Sequence, residues 1–419
     1  MNTKLNLILL IIVGLFMGAL VSRNGTIALL TIPFLVYLGT GVLLTPGDIR
    51  LRVSRALNLL RSDGKKPMKM VLMIENHGTA ITRLHLHEQS VPGMEVVDGN
   101  LQHCFFLSSG EKIRIHHEFT VPRGRYSWQT INLQASDPFH LFEKNIELPA
   151  EAHTRVIPEP YKVQHFKYHP KPTVRTSGPY LSRSAGSGVD LWGVREYHMG
   201  DSLRLIDWRK TARNPRYFFS KEFEREEMAD VGLLLDARMV TNRYFSNENL
   251  FEYSIQATAA LSKHFITAGN RVSMLVLSDR LVRVFPGYGK RQLTRILDQL
   301  AGCTLGENIT LGSLKHLPVK LFPSHSVIVF ISTLAAGDYS KIARLQAEGY
   351  QILVISPDPA HGISGNQEPG SMDSLAMRAV CLERALLLRR FQRIGIQVID
   401  WNINRSLMET LRTARFVKM

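Results

Sequence analysis

The stretch VGLLLD, residues 231–236, predicts the fold of the longer part of the chain. It is a continuous apolar run that ends in an acid, which is typical of a strand buried on both faces of a parallel sheet. From residue 228 onward, similar runs such as RVSMLVLSD, SVIVFIST, QILVISPD and IQVIDW alternate with helical patterns. This alternation predicts a doubly wound, mostly parallel α/β sheet over residues 228–419, with helices on both faces.

Two uncharged apolar segments lie near the N-terminus, over residues 5–21 and 27–44. Each would measure roughly 26 Å as a helix, which is just enough to cross a bilayer. Only SRNGT separates them, so residues 1–50 are interpreted as a transmembrane helical hairpin rather than as a signal peptide. Basic residues flank the hairpin, at Lys4 and between Arg50 and Lys66, and they place the rest of the chain in the cytoplasm.

The middle of the chain has two different patterns. Residues 51–150 contain short alternating runs, such as MKMVLMIEN and KIRIHHEFTV, broken by turn sequences such as NHG and VDGN. Such runs predict a β-rich, sandwich-like domain. Residues 151–192 are rich in Pro, Gly, Ser and His without periodicity, and they are interpreted as a connector.

Charge and cysteine usage restrict the function classes. The net charge of +15 suits a cytoplasmic face that lies against anionic lipids, whereas nucleic-acid binding is disfavoured because the basic residues are scattered among acids. The three cysteines, Cys104, Cys303 and Cys381, are far apart and form no CxxC motif. They are expected to be reduced core residues rather than a disulfide framework or a zinc site.

The strand that ends in Asp236 resembles the first strand of a von Willebrand factor A domain, in which a DxSxS loop and a distant Thr and Asp hold a divalent cation. Asp236 and Thr304 match two of these positions, but Arg238 and Val240 stand where the two serines are expected. An arginine there is electrostatically hostile to Mg²⁺. No aspartate is recognised after Ile331 in SVIVFIST. The site is therefore predicted to be degenerate and to hold no metal.

No catalytic motif is evident. GxGxxG, GxxxxGK[ST], HExxH and GxSxG are absent from the sequence. Cys104 could pair with His103, His116 or His117, but all four lie in strand-like runs. A core cysteine with surface histidines is the preferred interpretation, and we expect no catalytic residue and no cofactor.

Residues 193–227 begin with GVREYHMGDSLRLIDWRKTAR, in which basic, acidic and aromatic residues are interleaved. Arginine and carboxylate groups can form planar bidentate pairs, and arginine also stacks on aromatic rings. The stretch is therefore predicted to be a structural brace or a docking surface. The residues singled out are Arg195, Glu196, Tyr197, Gly200, Asp201, Arg204, Asp207, Trp208, Thr211, Ala212 and Arg213, and Arg209 joins the expected charge network.

This stretch, continued by SKEFEREEMADVGLLLD, resembles the signature of the domain-of-unknown-function 58 family. RGRY at 123–126, the DPF of SDPFHLF, VIPEP and LLLRRFQRIGIQVIDW fit the family as well, so the resemblance extends over the whole chain. One departure is His140, where the family often has glycine. The resemblance implies a membrane hairpin, a β-rich segment, the signature and a von Willebrand factor A-like domain.

The resemblance also implies a partner, because such proteins are commonly paired with a MoxR-type AAA+ ATPase. We therefore expect a multi-pass protein of the bacterial inner membrane that interacts with this ATPase during assembly or maturation of a protein complex, with no enzymatic activity. Two alternatives remain open. One is a hydrolase that uses Asp201 and Asp207, and the other is a Mg²⁺-dependent adhesion module.

Overall fold

The computed structural model describes residues 3–45, 47–58, 61–62, 67–161, 163, 166, 168, 180–214, 216–227, 229–242, 249–307, 320–358 and 372–413. The chain divides into two compact units, Met1–Ile157 and Pro158–Met419. The apolar N-terminal segments and the β-rich segment belong to the first unit. The signature and the α/β segment belong to the second.

The two N-terminal apolar segments are helical. The first is α1 (Thr3–Ser22), and the second consists of α2 (Gly25–Leu29) and α3 (Ile32–Leu43). Pro33 lies in the first turn of α3, where its missing N–H leaves no helical hydrogen bond unmade. Thr3–Ser22 and Gly25–Leu43 are both long and apolar enough to span a membrane.

The β-rich segment forms two sheets that share one core. The described strands are β1 (Leu51–Leu57), β2 (Arg61–Ser62), β3 (Met68–Asn76), β4 (Ile81–His87), β5 (Glu95–Asp98), β6 (Gln102–Leu107), β7 (Lys112–Thr120), β8 (Gly124–Ser136) and β9 (Glu143–Val156). Their orders are β1-β3-β7-β5 and β2-β9-β8-β4-β6. Leu72 and Ile74 of β3 pack in one apolar cluster with Leu84 of β4 and Leu133 of β8. The alternation predicted from the sequence thus points one face of each sheet inward.

Regular structure extends into the predicted connector 151–192. Strand β9 passes residue 150 and ends at Val156 with alternating buried and exposed side chains. Its inward positions include the small residues Ala150 and Ala152, which weaken the hydrophobic alternation in the sequence. Strand β10 (Tyr180–Glu196) takes up the end of the connector. Residues 169–179, also part of the predicted connector, lie outside the described residues.

The turn that contains His140 is held by the buried side chain of Asp137. Its carboxylate accepts hydrogen bonds from the backbone N–H groups of Phe139, Leu141 and Phe142 at 2.7–2.9 Å. His140 has a φ of 57°, in the left-handed region that glycine adopts without strain. The geometry explains why glycine suits this position and shows that histidine is accommodated there as well.

The interior of the first unit also holds Arg55, Glu88 and His117. Arg55 Nη2 donates to Glu88 Oε1 at 2.6 Å, and the two side chains are 0% and 1% exposed. His117 is 1% exposed, and neither of its ring nitrogens has a hydrogen-bond partner among the described residues. Burial lowers the pKa of His117 to about 4, and nearby cationic groups, Arg55 among them, act in the same direction. His117 is therefore neutral near pH 7. This corrects the expectation of a surface histidine.

The second unit contains a two-stranded antiparallel sheet, formed by β10 and β11 (Phe219–Glu227), and a six-stranded sheet. The larger sheet consists of β12 (Asp230–Asp236), β13 (Arg271–Leu277), β14 (Val282–Gly287), β15 (Val327–Ile331), β16 (Gln351–Asp358) and β17 (Gln397–Asn402). Its order is β14-β13-β12-β15-β16-β17, and every neighbouring pair is parallel except β13 and β14. The mostly parallel sheet predicted from the sequence is present.

Helices precede, connect and follow the strands of this sheet. They are α4 (Trp208–Arg213), which precedes the sheet, and then α5 (Met239–Asn242), α6 (Asn249–Thr267), α7 (Gly289–Ala301), α8 (Tyr339–Ala347), α9 (Met372–Arg393) and α10 (Leu407–Thr413). All residues of β12 are buried, as a central strand of such a sheet requires. Gly232 interrupts its apolar run because a Cβ there would lie 2.2 Å from the ring of Phe322. The close approach of the Phe322 ring therefore leaves no room for a side chain at position 232.

We expect the first unit to lose stability at acidic pH because of His117. An unfolded histidine titrates near 6.5, whereas the folded pKa is about 4, so the unfolded state binds more protons in this interval. Stability from neutral His117 is complete above pH 6.5 and falls by about 2 kcal/mol on going to pH 5. Thermal unfolding of the full chain at both pH values measures this loss. His117→Leu should reduce it, whereas His116→Gln, at an exposed position of the same strand, should not; equal pH dependence in all three proteins would contradict the expectation.

Candidate functional site

The candidate site lies at the carboxyl edge of the six-stranded sheet. From β12 the chain first builds β13 and β14 on one side, and it then crosses to β15 on the other side. The carboxyl ends of β12 and β15 therefore flank the topological switch point, where ligands of open α/β sheets usually bind. Asp236 is the last residue of β12, and Ser332 directly follows β15.

A guanidinium group occupies this switch point. Arg238 Nε and Nη2 donate to the two carboxylate oxygens of Asp236 at 2.8 and 2.7 Å. Nη1 and Nη2 donate to the two oxygens of Asp338 at 3.1 and 2.7 Å. Both pairs are bidentate, and all three side chains are at most 7% exposed. We call Arg238, Asp236 and Asp338 the arginine triad.

The loop after β15 completes the arginine triad. Ser332 Oγ donates to Asp236 Oδ2 at 2.6 Å, and the same hydroxyl accepts the backbone N–H of Leu334. Asp338 Oδ2 also accepts the backbone N–H of Ala335 at 3.0 Å. Asp338 is the last residue of a 3-10 turn over Ala336–Asp338. The carboxylates of Asp236 and Asp338 thus accept hydrogen bonds from both side-chain and backbone donors.

The arginine remains charged in this buried place. Burial alone lowers the pKa of Arg238, but the hydrogen bonds and charges of Asp236 and Asp338 outweigh it, so the pKa is raised. One cation thus lies between two anions in a water-poor environment, where a missing partner is costly. The cation at the switch point is therefore the Arg238 side chain rather than a bound ion.

The structure corrects the expected distribution of metal-site residues. An aspartate does follow Ile331: Asp338 reaches the site through the 3-10 turn, at a position that strand-by-strand comparison overlooked. Thr304, the predicted hydroxyl position, is exposed, and its carbonyl oxygen accepts a hydrogen bond from Ser278. Val240 is 52% exposed. Asp236 therefore contacts Ser332 directly and is linked to Asp338 through Arg238, whereas the contacts described for Thr304 lie elsewhere.

A second arginine, which sequence reasoning missed, ties the next strands together. Arg384 of α9 donates to the carbonyl oxygens of Thr333 and Ser356 at 3.3 and 3.1 Å. It also donates to Asp400 Oδ1 of β17 at 2.6 Å and lies 3.5 Å from Asp358 Oδ1. Arginines therefore neutralise the acids along the carboxyl ends of β12, β16 and β17.

Arg195 links two acids at the base of the signature, a set of contacts that we call the Arg195 brace. Arg195, at the end of β10, donates through Nη2 to Asp201 Oδ1 at 2.7 Å and through Nε to Glu222 Oε1 of β11 at 2.9 Å. The hydrogen bond with Asp201 is the main reason why the pKa of Arg195 is raised and that of Asp201 is lowered. Tyr197 OH donates to the carbonyl oxygen of Asp201, and Asp201 Oδ2 accepts the backbone N–H of His198.

Other signature residues shape the backbone. The Asp207 carboxylate caps α4 by accepting the backbone N–H groups of Arg209 and Lys210 at 3.1 and 3.2 Å. Thr211 Oγ1 accepts the backbone N–H of Phe219 at 3.1 Å. Gly200 has a φ of 108°, which a residue with a side chain would rarely adopt. These contacts explain three singled-out positions by local geometry.

The side chains of the remaining signature residues do not join the network, although the Glu196 carbonyl oxygen accepts a hydrogen bond from Arg195 Nη1 at 2.9 Å. Glu196, Arg204, Trp208, Ala212 and Arg213 are exposed. Within the described part of the chain, Arg204 and Asp207 form no ion pair, since Asp207 is engaged with the first turn of α4. The interpretation of one closed charge network is therefore too broad. Of the expected members, Arg195 and Asp201 pair with each other, Glu222 joins them, and the exposed members form a surface.

The cysteine and histidine placements also differ from expectation. Cys303 is buried as predicted, but Cys104 and Cys381 are exposed. Cys104 Sγ lies 3.7 Å from Nε2 of His85, its cross-strand neighbour, instead of packing in the core. Among the described residues, no group of three or more His, Cys, Asp or Glu side chains is arranged to hold a metal ion.

We predict that Arg238→Ala destabilises the chain by about 3–5 kcal/mol, because Asp236 and Asp338 are left buried without a cation. Thermal unfolding of the full chain measures the loss, with Arg344→Ala, an exposed arginine paired with Glu348, as the control. Mg²⁺ should raise the melting temperature of the Arg238 variant but not that of the wild type. Saturable Mg²⁺ binding by the wild type that is lost in Asp236→Ala would contradict this prediction.

A further prediction distinguishes the Arg195 brace from the exposed signature residues. Arg195→Ala should lower the melting temperature, and its effect should be less than additive with Asp201→Ala because the two side chains are in contact. Arg204→Ala and Trp208→Ala should melt like the wild type, since both side chains are exposed. Destabilisation by Trp208→Ala equal to that by Arg195→Ala would refute this division.

Comparisons with known proteins give a match for the segment that contains the arginine triad and the Arg195 brace. Residues 193–361 match a family model described as "Protein of unknown function DUF58". The chain is 26% identical over 184 residues to the uncharacterized protein YeaD of Bacillus subtilis, a match that covers 43% of each chain.

Solved structures give only distant likenesses. The CARDB domain of a Pyrococcus furiosus protein covers 27% of this chain and 92% of its own, at 16% identity and a TM-score of 0.18. Proximal thread matrix protein 1 from the mussel byssus covers 38% and 46%, at 16% identity and a TM-score of 0.26. The segment from residue 193 to residue 361, with the signature and the arginine triad, thus matches the model of the DUF58 family, which the sequence motifs resemble.

Proposed function

We propose that this chain is a membrane-anchored interaction protein without catalytic activity, and that it acts with a MoxR-type AAA+ ATPase in the assembly or maturation of a protein complex. The α/β sheet is a von Willebrand factor A-like domain whose carboxyl edge is the binding face. The two N-terminal helices anchor it in the bacterial inner membrane, and the remainder of the chain lies in the cytoplasm.

The observation that carries this proposal is the arginine triad. A hydrolytic site needs a carboxylate or histidine with few compensating partners and a pKa suited to proton transfer. At this switch point both carboxylates are in bidentate contact with Arg238, and Ser332 donates to one of them. An acid held in this way supports the architecture of a binding face better than it supports catalysis.

The place of the arginine triad supports the A-like assignment. Asp236 ends the central strand, and the loop after β15 supplies Ser332 and Asp338, which is where an A-like domain is expected to hold its divalent cation. The guanidinium brings the positive charge that the cation would bring. It leaves no open coordination position for a partner's carboxylate, so a partner must be bound by shape and apolar contact.

The edge offers such contacts. Val240, next to the arginine triad, is half exposed. Near the end of β17, a cavity of about 340 Å³ is lined by Tyr161, Tyr253, Trp401 and Met408, among others. Tyr253 and Trp401 pack edge to face with ring centroids 5.8 Å apart. An aromatic cavity and an exposed apolar side chain at the carboxyl edge of one sheet suit a protein partner that inserts a side chain.

Neither alternative function is favoured by the site. For the hydrolase, Asp201 is paired with Arg195, and Asp207 caps a helix. For the Mg²⁺-dependent module, Arg238 occupies the position of the cation. The orientation of the anchor rests on the basic flank from Arg50 onward, because positive residues remain on the cytoplasmic side.

Affinity capture from bacterial membranes tests the proposal. The wild-type chain should enrich an AAA+ ATPase in a nucleotide-dependent way. Val240→Glu should lose it without a change in melting temperature, because the side chain is exposed at the binding face. Val97→Glu, the same change at an exposed position of β5 in the first unit, is the control and should retain the ATPase. Equal capture by Val240→Glu, or a hydrolytic activity lost in Asp201→Asn, would contradict the proposal.

A further inference from the structure

The segment between β10 and β11 projects as one closed loop, which we call the hairpin tip (residues 197–218). Its base is the antiparallel pair Glu196 and Phe219. Above the base, Tyr197 N donates to the carbonyl oxygen of Phe218 at 2.8 Å, and Asp207 N donates to that of Phe219 at 2.8 Å. The Arg195 brace fixes the same base through Asp201 and Glu222. The hairpin tip is therefore a folded projection on a rigid support.

Large apolar side chains of the hairpin tip point into solvent. Met199 is fully exposed, Leu203 is 68% exposed and Trp208 is 64% exposed. Tyr217 and Phe218 are each more than half exposed. Single exposed apolar residues need no explanation, but five within one short loop mark a contact surface.

The hairpin tip is also strongly basic. Its cationic side chains are Arg204, Arg209, Lys210, Arg213 and Arg216. Its two acids are already engaged, Asp201 with Arg195 and Asp207 with the backbone of α4. Within the described residues, none of the five cations forms an ion pair with an acid, and Lys210 instead lies 4.8 Å from the ring centroid of Phe219. The positive charge is thus available to an anionic partner.

We infer that the hairpin tip binds the surface of an anionic lipid bilayer. Tryptophan and tyrosine favour the interface between lipid and water, and arginines are attracted to the phosphates of the headgroups. The apolar side chains project from a loop and a short helix, which suits entry between lipids. The inference uses the membrane anchoring of the proposed function but is independent of the ATPase partnership.

The anchor makes even a weak contact effective. Thr3–Ser22 and Gly25–Leu43 are candidate membrane spans of the same chain, so a bilayer stays within reach of the soluble part. Linkage of this kind turns the second contact into an intramolecular event at high effective concentration. Each basic side chain close to an anionic surface strengthens binding by about fivefold. Because the base is already rigid, the hairpin tip loses little conformational entropy when it binds.

The test uses the full chain in lipid nanodiscs, with an environment-sensitive fluorophore on Met199→Cys in a Cys104→Ser, Cys381→Ser background that removes the exposed thiols. The discs contain phosphatidylcholine alone or mixed with phosphatidylglycerol, with or without a spin-labelled lipid. We expect a blue shift and quenching by the spin label in the anionic discs, both reversed by salt. A fluorophore on Ser90→Cys, at an exposed position after the end of β4 in the first unit, should respond to neither.

Matched charge reversals complete the test. Arg209→Glu with Arg213→Glu should weaken the lipid response by at least about tenfold, whereas Arg389→Glu with Arg390→Glu, at exposed positions on α9, should leave it unchanged. All variants should melt like the wild type, and the Arg209/Arg213 variant should still capture the ATPase. An absent lipid response, an equal effect of both pairs, or a blue shift that requires the ATPase would overturn the inference; the last outcome would indicate a protein-docking surface.

Discussion

The buried contact of one guanidinium with two carboxylates determines how the α/β unit is organised. Asp236 comes from the central strand, and Asp338 comes from the turn after the neighbouring strand. Two buried carboxylates at this separation would repel each other if no cation lay between them. Arg238 supplies that cation from the chain itself, so the loops at the switch point can close without a bound ion. The position of Val240 and the path from Ser332 to Asp338 follow from this contact.

A built-in cation differs from a bound metal in a way that matters for function. Metal binding depends on ion concentration, and an ion with an open coordination position can recruit a partner's carboxylate. A guanidinium is permanently charged, and Arg238 donates hydrogen bonds from Nε, Nη1 and Nη2 to Asp236 and Asp338. Under the proposed function, a partner at this edge is therefore recognised by shape, apolar contact and surrounding charge. In the same way, Arg384 joins the ends of β16 and β17, so the edge has a rigid frame.

Local patterns in the sequence predict the frame of this molecule but not its long-range contacts. The run VGLLLD and its alternation with helices predict the parallel sheet, because burial on both faces leaves a direct mark on composition. Asp338 could not be recognised in this way, since it lies far along the chain from Arg238 and reaches it through a 3-10 turn with no periodicity. Small inward residues such as Ala150 and Ala152 likewise conceal the end of β9. The exposure of Cys104 depends on which face of its strand meets the core, and its single run leaves that open.

The signature shows how one dense lattice of charges can serve two purposes. Where acids and bases meet across β10 and β11, at Arg195, Asp201 and Glu222, the charges compensate each other and stiffen the base of the loop. Beyond that base the one remaining acid of the hairpin tip is Asp207, and its carboxylate caps the N-terminus of α4. The arginines that remain cannot be neutralised from within and stay exposed beside Trp208. The acids stiffen the base by pairing with Arg195, and the projection has no further acid to offset its arginines, so one distribution of acids explains both the rigid base and the surplus charge.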